Sequence, residues 1–127
     1  MAQAAEPEPA EPEPGELAVG MVETRRLVAQ YETPQALAEA FVEYIRTNSR
    51  SAYVLYRELD YFEQLGALEA VGALDFDLIN VLLGPRLVDR WRMWKPSIDA
   101  IGGDEVYPMF AALAAKVEAN RMTAVAS

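Results

Sequence analysis

From Leu17 onward, apolar residues return every three to four positions, and nowhere do they alternate with polar ones over the length of a strand. That period is helical. The first helix is expected from Leu17, with Leu17, Met21, Val28 and Tyr31 near one face, Arg25 and Arg26 beside it, and Gly20 weakening its start. In "YETPQALAEAFVEYIRTN", Thr33 predicts an N-cap and Pro34 the first helical residue. Leu37, Ala38, Phe41, Val42 and Ile45 then form a buried stripe, while Glu39 and Glu43 point elsewhere. The polar run "TNSRS" predicts a tight connection.

A third helix is expected from near Ser51 to Val71, with Leu55, Leu59, Phe62 and Gly66 in one stripe. Gly66 reads as an interior glycine crossed closely by another helix, or as a C-cap; the apolar pattern continuing through Leu68 and Val71 favours the interior, with Gly72 as the stop. Asp75 is then the N-cap candidate of a short buried helix carrying Phe76, Ile79, Leu82 and Leu83; Gly84 ends it and Pro85 opens the next. The last helix is expected at "GGDEVYPMF", capped by Asp104, with Pro108 in its first turn and Val106, Phe110, Leu113 and Val117 as its stripe. The final six residues are expected to fray. The pattern as a whole predicts an all-α fold, a single compact bundle of about five to six helices.

The stretch "LVDRWRMWKPSIDAI" places two tryptophans among basic residues, which fits either a nucleic-acid surface or a packed core. Helical geometry decides between them. Leu87, Trp91, Trp94, Ile98 and Ile101 fall within about 40° of one line, whereas Arg86 and Arg90 lie on one flank, Lys95 on the other, and Arg92 on the back with Asp89. A stacking platform needs aromatics and cations on the same exposed face. The tryptophans are therefore expected in the core, with no direct contact to nucleic acid, and Pro96 predicts a kink or break near Met93 to Pro96. On the third helix Glu58 and Glu69 lie beside the Leu55–Phe62 line and Glu63 nearer its edge. One of these carboxylates is expected to pair with Arg86 or Arg90 at the rim of the core.

Residues 1–16 break the pattern. "EPEP" occurs twice around Ala10, and like charges with repeated prolines build no core, so an extended, disordered acidic arm is expected, followed by a helical domain over 17–127. Glu6, Glu8, Glu11, Glu13 and Glu16 carry five of the charges behind the net −9. From Leu17 on there are 15 acidic and 11 basic residues, a balance of −4, which is ordinary for a soluble domain. No basic-then-apolar leader and no long apolar run is visible, and cysteine is absent, so a cytoplasmic location without a membrane span is expected.

The chain has no histidine and no cysteine, which excludes Ser–His and Cys–His nucleophile systems and the Glu-x-x-His motif of di-iron bundles. No P-loop or dinucleotide fingerprint is present. The carboxylate pairs have structural explanations: Glu39/Glu43 lie on a solvated helix face, and Asp75/Asp77 and Asp104/Glu105 at helix starts. No catalytic, metal-binding or cofactor-binding residue is assigned, and no cofactor is expected.

Between about Ser51 and Leu113 the chain resembles a bacterial and phage-associated family of small all-helical proteins of unknown function. The resemblance rests on "YFEQLGALEAVGALDFDLINVLLG", then Trp94, Pro96 and Ile98, and the late "VYPMFAAL". It implies a helical fold and brings no catalytic residues. Where members often carry a hydrophobic N-terminal anchor, this chain has its acidic, proline-rich arm.

Six tyrosines are more than one small core is expected to bury, and tyrosine is enriched at interfaces. Tyr53, Tyr56, Tyr61 and Tyr107 are the candidate partner-binding surface. The expected function is a non-enzymatic, protein-binding or regulatory helical module, which also accommodates a homo-oligomer. The alternative is an acidic inhibitor that mimics nucleic acid, and it requires a dense anionic face.

Overall fold

A computed structural model describes the backbone of residues 14–126 and the side chains of 21–123. The arm expected over 1–16 lies mostly outside the described residues, although α1 (Pro14–Val28) already begins within it. The order continues as α2 (Pro34–Arg46), α3 (Arg50–Ala70), α4 (Phe76–Ile101), a 3₁₀ turn (Gly103–Glu105) and α5 (Pro108–Ala126), with no strand among the described residues. The all-α reading holds. α2 packs chiefly on α4, α3 on α5, and α1 across α3, while α4 also contacts α5.

Local chemistry explains the first elements. The Thr33 hydroxyl accepts the Ala36 N–H and Pro34 opens α2, so one otherwise unpaired donor is satisfied and the missing proline donor is harmless. Leu37, Ala38 and Phe41 are buried, whereas Val42 is exposed. Asn48, at φ 51°, turns the chain into Ser49, which caps α3 by accepting the Ser51 N–H. Gly66 lies inside α3, as expected: a Cβ there would stand 2.3 Å from the Met109 carbonyl oxygen, so the start of α5 approaches α3 closer than any side chain allows. Gly72, at φ 79°, lies just beyond the end of α3.

Two expectations are corrected. The short helix ending at Gly84 is instead the first half of the 26-residue α4, which runs unbroken through Pro85 and Pro96. Gly84 lacks the positive φ of a C-cap. It is buried inside the helix, where a Cβ would lie 2.8 Å from Asn80 Oδ1 of the preceding turn and in ordinary contact with Val117 of α5 at 3.5 Å, so Gly84 does not terminate the helix. Pro85 removes the donor that would reach the Val81 carbonyl, and Val81 lies on the solvent side, where water can take that bond. The second correction concerns Asp104, which sits in the 3₁₀ turn between two positive-φ glycines and α5, and does not cap α5. Val106 is likewise exposed rather than part of the stripe. α5 starts at Pro108, and the Glu63 carboxylate of α3 accepts the N–H groups of Met109 and Phe110.

The core combines Phe41, Leu55, Leu59, Phe62, Leu87, Trp94, Ile98, Phe110, Leu113 and Val117. Trp94 meets Phe41 edge-on at 5.8 Å between ring centroids, and Trp91, half-buried, meets Phe110 at 4.9 Å. Both tryptophans are thus spent on packing.

Candidate functional site

Among the described residues, the interior of the bundle holds one charged constellation. Glu58 on α3 is 1% exposed. Its carboxylate takes two bonds from the Arg90 guanidinium, at 2.7 and 2.8 Å, and a third from Trp94 Nε1. This bidentate geometry is what makes a buried carboxylate tolerable. Among the three carboxylates considered from the sequence, Glu58 is therefore the one that pairs with an arginine of the tryptophan helix. Glu69 instead meets Lys116 at 2.7 Å, and the Lys116 ammonium lies 4.5 Å from the Phe76 ring centre. Glu63 is the cap of α5. Arg92, on the back of α4, meets Glu118 at 3.1 Å in the open.

An open cleft of about 260 Å³ adjoins the Glu58–Arg90 pair between α1, α3 and α4, walled by Met21, Phe62, Leu83 and Leu87 and rimmed by Arg25 and Arg86. Glu23, on the outer side of α1, is held below the usual carboxylate range, first by its hydrogen bond to Arg50 and then by the charges of Arg50 and Arg57.

The four candidate tyrosines do not form one surface. Tyr53 is 60% exposed and donates to Asn48 Oδ1 at 3.2 Å. Tyr61 is 43% exposed, lies edge-on to Phe62 and lines the cleft. At eight residues' separation the two stand about 12 Å apart along α3 and diverge by about 80° around it. Tyr56 is half-buried against Phe41, at 5.1 Å. Tyr107 is 6% exposed and so is removed from the candidate surface; its hydroxyl bonds Asp60 Oδ1 at 3.3 Å. Burial raises the Tyr107 phenol well above its ordinary value and also raises the Asp60 carboxyl. Tyr107 lacks a surface role because it closes the corner between the 3₁₀ turn and α5.

A cluster of exposed apolar side chains lies instead at the start of α4. Leu78, Val81 and Leu82 are 53%, 79% and 69% exposed, although Leu82 is expected from its periodicity to be core. Of the apolar residues assigned to that segment, Ile79 alone is buried, against the bundle, with Phe76 and Leu83 half-buried. Val71, before α4, is also exposed. The sequence pattern puts Phe76, Ile79, Leu82 and Leu83 together as buried, and the structure divides them, with Leu82 on the solvent side.

Among the described residues, no group of three or more Asp and Glu is arranged to hold a metal ion, and no helix is long and apolar enough to cross a membrane. No protein-family model matches the chain, and no match is found among curated proteins or solved structures.

Proposed function

We propose that the chain is a non-enzymatic helical module of the cytoplasm that acts by binding protein, and that the outer face of the first half of α4 is its contact surface. The observation that carries this reading is the exposure of Leu78, Val81 and Leu82 within little more than one helical turn. Apolar side chains grouped in this way on an otherwise well-packed bundle mark an interaction surface. The carboxylates that could have served acid–base chemistry have structural work: Glu58 and Glu69 neutralise Arg90 and Lys116, and Glu63 caps a helix. The nucleic-acid-mimicking alternative draws less support. Glu23, Glu58, Glu69 and Glu118 each face an arginine or lysine, so they do not build a free anionic face.

The test is affinity capture from the cells that make the protein, comparing the native chain with Val81→Asp and Leu82→Asp. Both positions are exposed, so neither change disturbs the core. A protein retained by the native chain and lost with both variants is expected. Identical capture by all three, or nothing retained by any, overturns the reading.

A further inference from the structure

The face of α4 is built in a way that suits a second copy of the same chain. At about 100° per residue, Leu78, Val81, Leu82 and Pro85 lie within about 50° of one line, and all four are exposed. Arg86 and Asp75 lie together on one flank of that line, about 90° and 70° from it, and Asp77 lies on the opposite flank. Arg86 and Asp75 are both exposed, and neither has an ion-pair partner among the described residues.

We infer that the chain self-associates through this face as an antiparallel, two-fold α4 pair whose axis passes between Val81 and Leu82. In that register Val81 meets Leu82 of the second copy and Leu78 meets Pro85. A two-fold axis of an antiparallel pair keeps like flanks on the same side. Arg86 therefore stands beside Asp75 of the second copy, offset by about 3 Å along the helix at about 1.5 Å per residue. The contact occurs twice, and it gives both unpaired charges a partner of opposite sign. A parallel pair does not: it sets the Arg86 flank against the Asp77 flank with these residues about 13 Å out of level. Four apolar side chains per copy place the interface at the small end, under about 1,200 Å², so the dimer is weak and forms in the micromolar range.

The inference rests on the reading of this face as an interaction surface, and the two fail differently. Sedimentation of the purified full chain from about 1 µM to 1 mM is expected to show mass rising from 14.1 kDa toward twice that value. Leu82→Asp is expected to hold the chain at the monomer mass throughout. Arg86→Asp is expected to weaken association at least about tenfold through like-charge contact with Asp75, and the swapped pair Asp75→Arg with Arg86→Asp to recover most of that loss. Asp75 makes no capping hydrogen bond, so the swap removes none; thermal melts confirm that each variant is folded. A monomer at every concentration, a dimer indifferent to Leu82→Asp, or a swap that fails to restore association overturns the self-pairing. If the chain stays monomeric while Leu82→Asp still abolishes capture of a different protein, the interaction surface stands and only the second copy is wrong.

Discussion

The Glu63 carboxylate on α3 accepts the Phe110 N–H at 2.9 Å, and the same group takes the Met109 N–H at 3.0 Å. These are the second and third residues of α5, the donors that a helix leaves unpaired at its start. The residue in the N-cap position is Tyr107, whose hydroxyl is turned to Asp60. A carboxylate from another helix thus does the work of a local cap, and its charge also meets the positive end of the α5 dipole.

Glu63→Ala is accordingly expected to destabilise the fold by about 2 kcal/mol, the range of a lost cap whose acceptor is charged. Glu63→Gln keeps one acceptor oxygen and is expected to lose less than half as much. Urea denaturation of the three proteins measures this directly. Equal losses for Ala and Gln would show that the charge matters and the acceptor geometry does not.

The Glu58–Arg90 pair supports a second comparison. Glu58 is shut away from water, and Arg90 keeps about a quarter of its side chain exposed. Arg90→Ala leaves a buried carboxylate with the Trp94 indole N–H as its remaining donor, so a loss of about 3 kcal/mol is expected, the lower end for breaking a buried pair. Arg92 is 63% exposed beside Glu118 and Asp89, and Arg92→Ala is expected to change stability by no more than about 0.5 kcal/mol. Chemical denaturation of both variants checks the ordering, and comparable losses would place Arg90 in solvent.

These two carboxylates show what was legible beforehand. Glu58 and Arg90 each flank an apolar stripe at helical spacing, so packing the stripes together brings them within reach. Glu63 flanks the same stripe, yet its partner is a backbone start 46 positions away, and caps are readable only when the capping residue is local. Gly84–Pro85 failed for another reason. A glycine inside a continuous helix and a glycine that terminates one look the same in sequence, and only the backbone φ separates them. Leu82 and Ile79 are both apolar and both fit a helical period, and which is buried depends on where α5 lies, which is a tertiary fact.

Alkaline pH provides a third test. The hydroxyls of Tyr31 and Tyr44 are hydrogen-bonded to each other, joining the residue after α1's last turns to α2. Burial first, and then that bond, push the Tyr31 phenol up to about 12. Burial likewise raises Tyr56 and Tyr107. A phenol raised in the folded state favours the neutral form there. Its contribution is therefore complete below the ordinary value near about 10 and is lost as pH climbs from there through the folded value. Stability is expected to fall between about pH 10 and 12, and Tyr31→Phe, which cannot ionise, is expected to fall less steeply. Denaturation midpoints across this range give both slopes, and parallel slopes would mean that Tyr31 titrates as a free phenol.

Pro85 gives the last test, because it sits where its chemistry argues against it. In a helix interior proline costs about 3 kcal/mol relative to alanine, through the missing donor and the clash with the preceding turn. Part of this is offset, since proline also restricts the unfolded chain by about 0.4–1 kcal/mol. Pro85 is exposed and Val81, whose carbonyl loses its bond, is on the same solvent side, so little packing is lost when the ring is removed. Pro85→Ala restores the bond from residue 85 to Val81 and is expected to stabilise the monomer by about 2 kcal/mol, the difference of the two effects. Thermal and urea unfolding followed by tryptophan fluorescence, at concentrations well below the micromolar range of self-association, read this gain. A destabilised variant would show that α4 depends on the proline for its packing against α5.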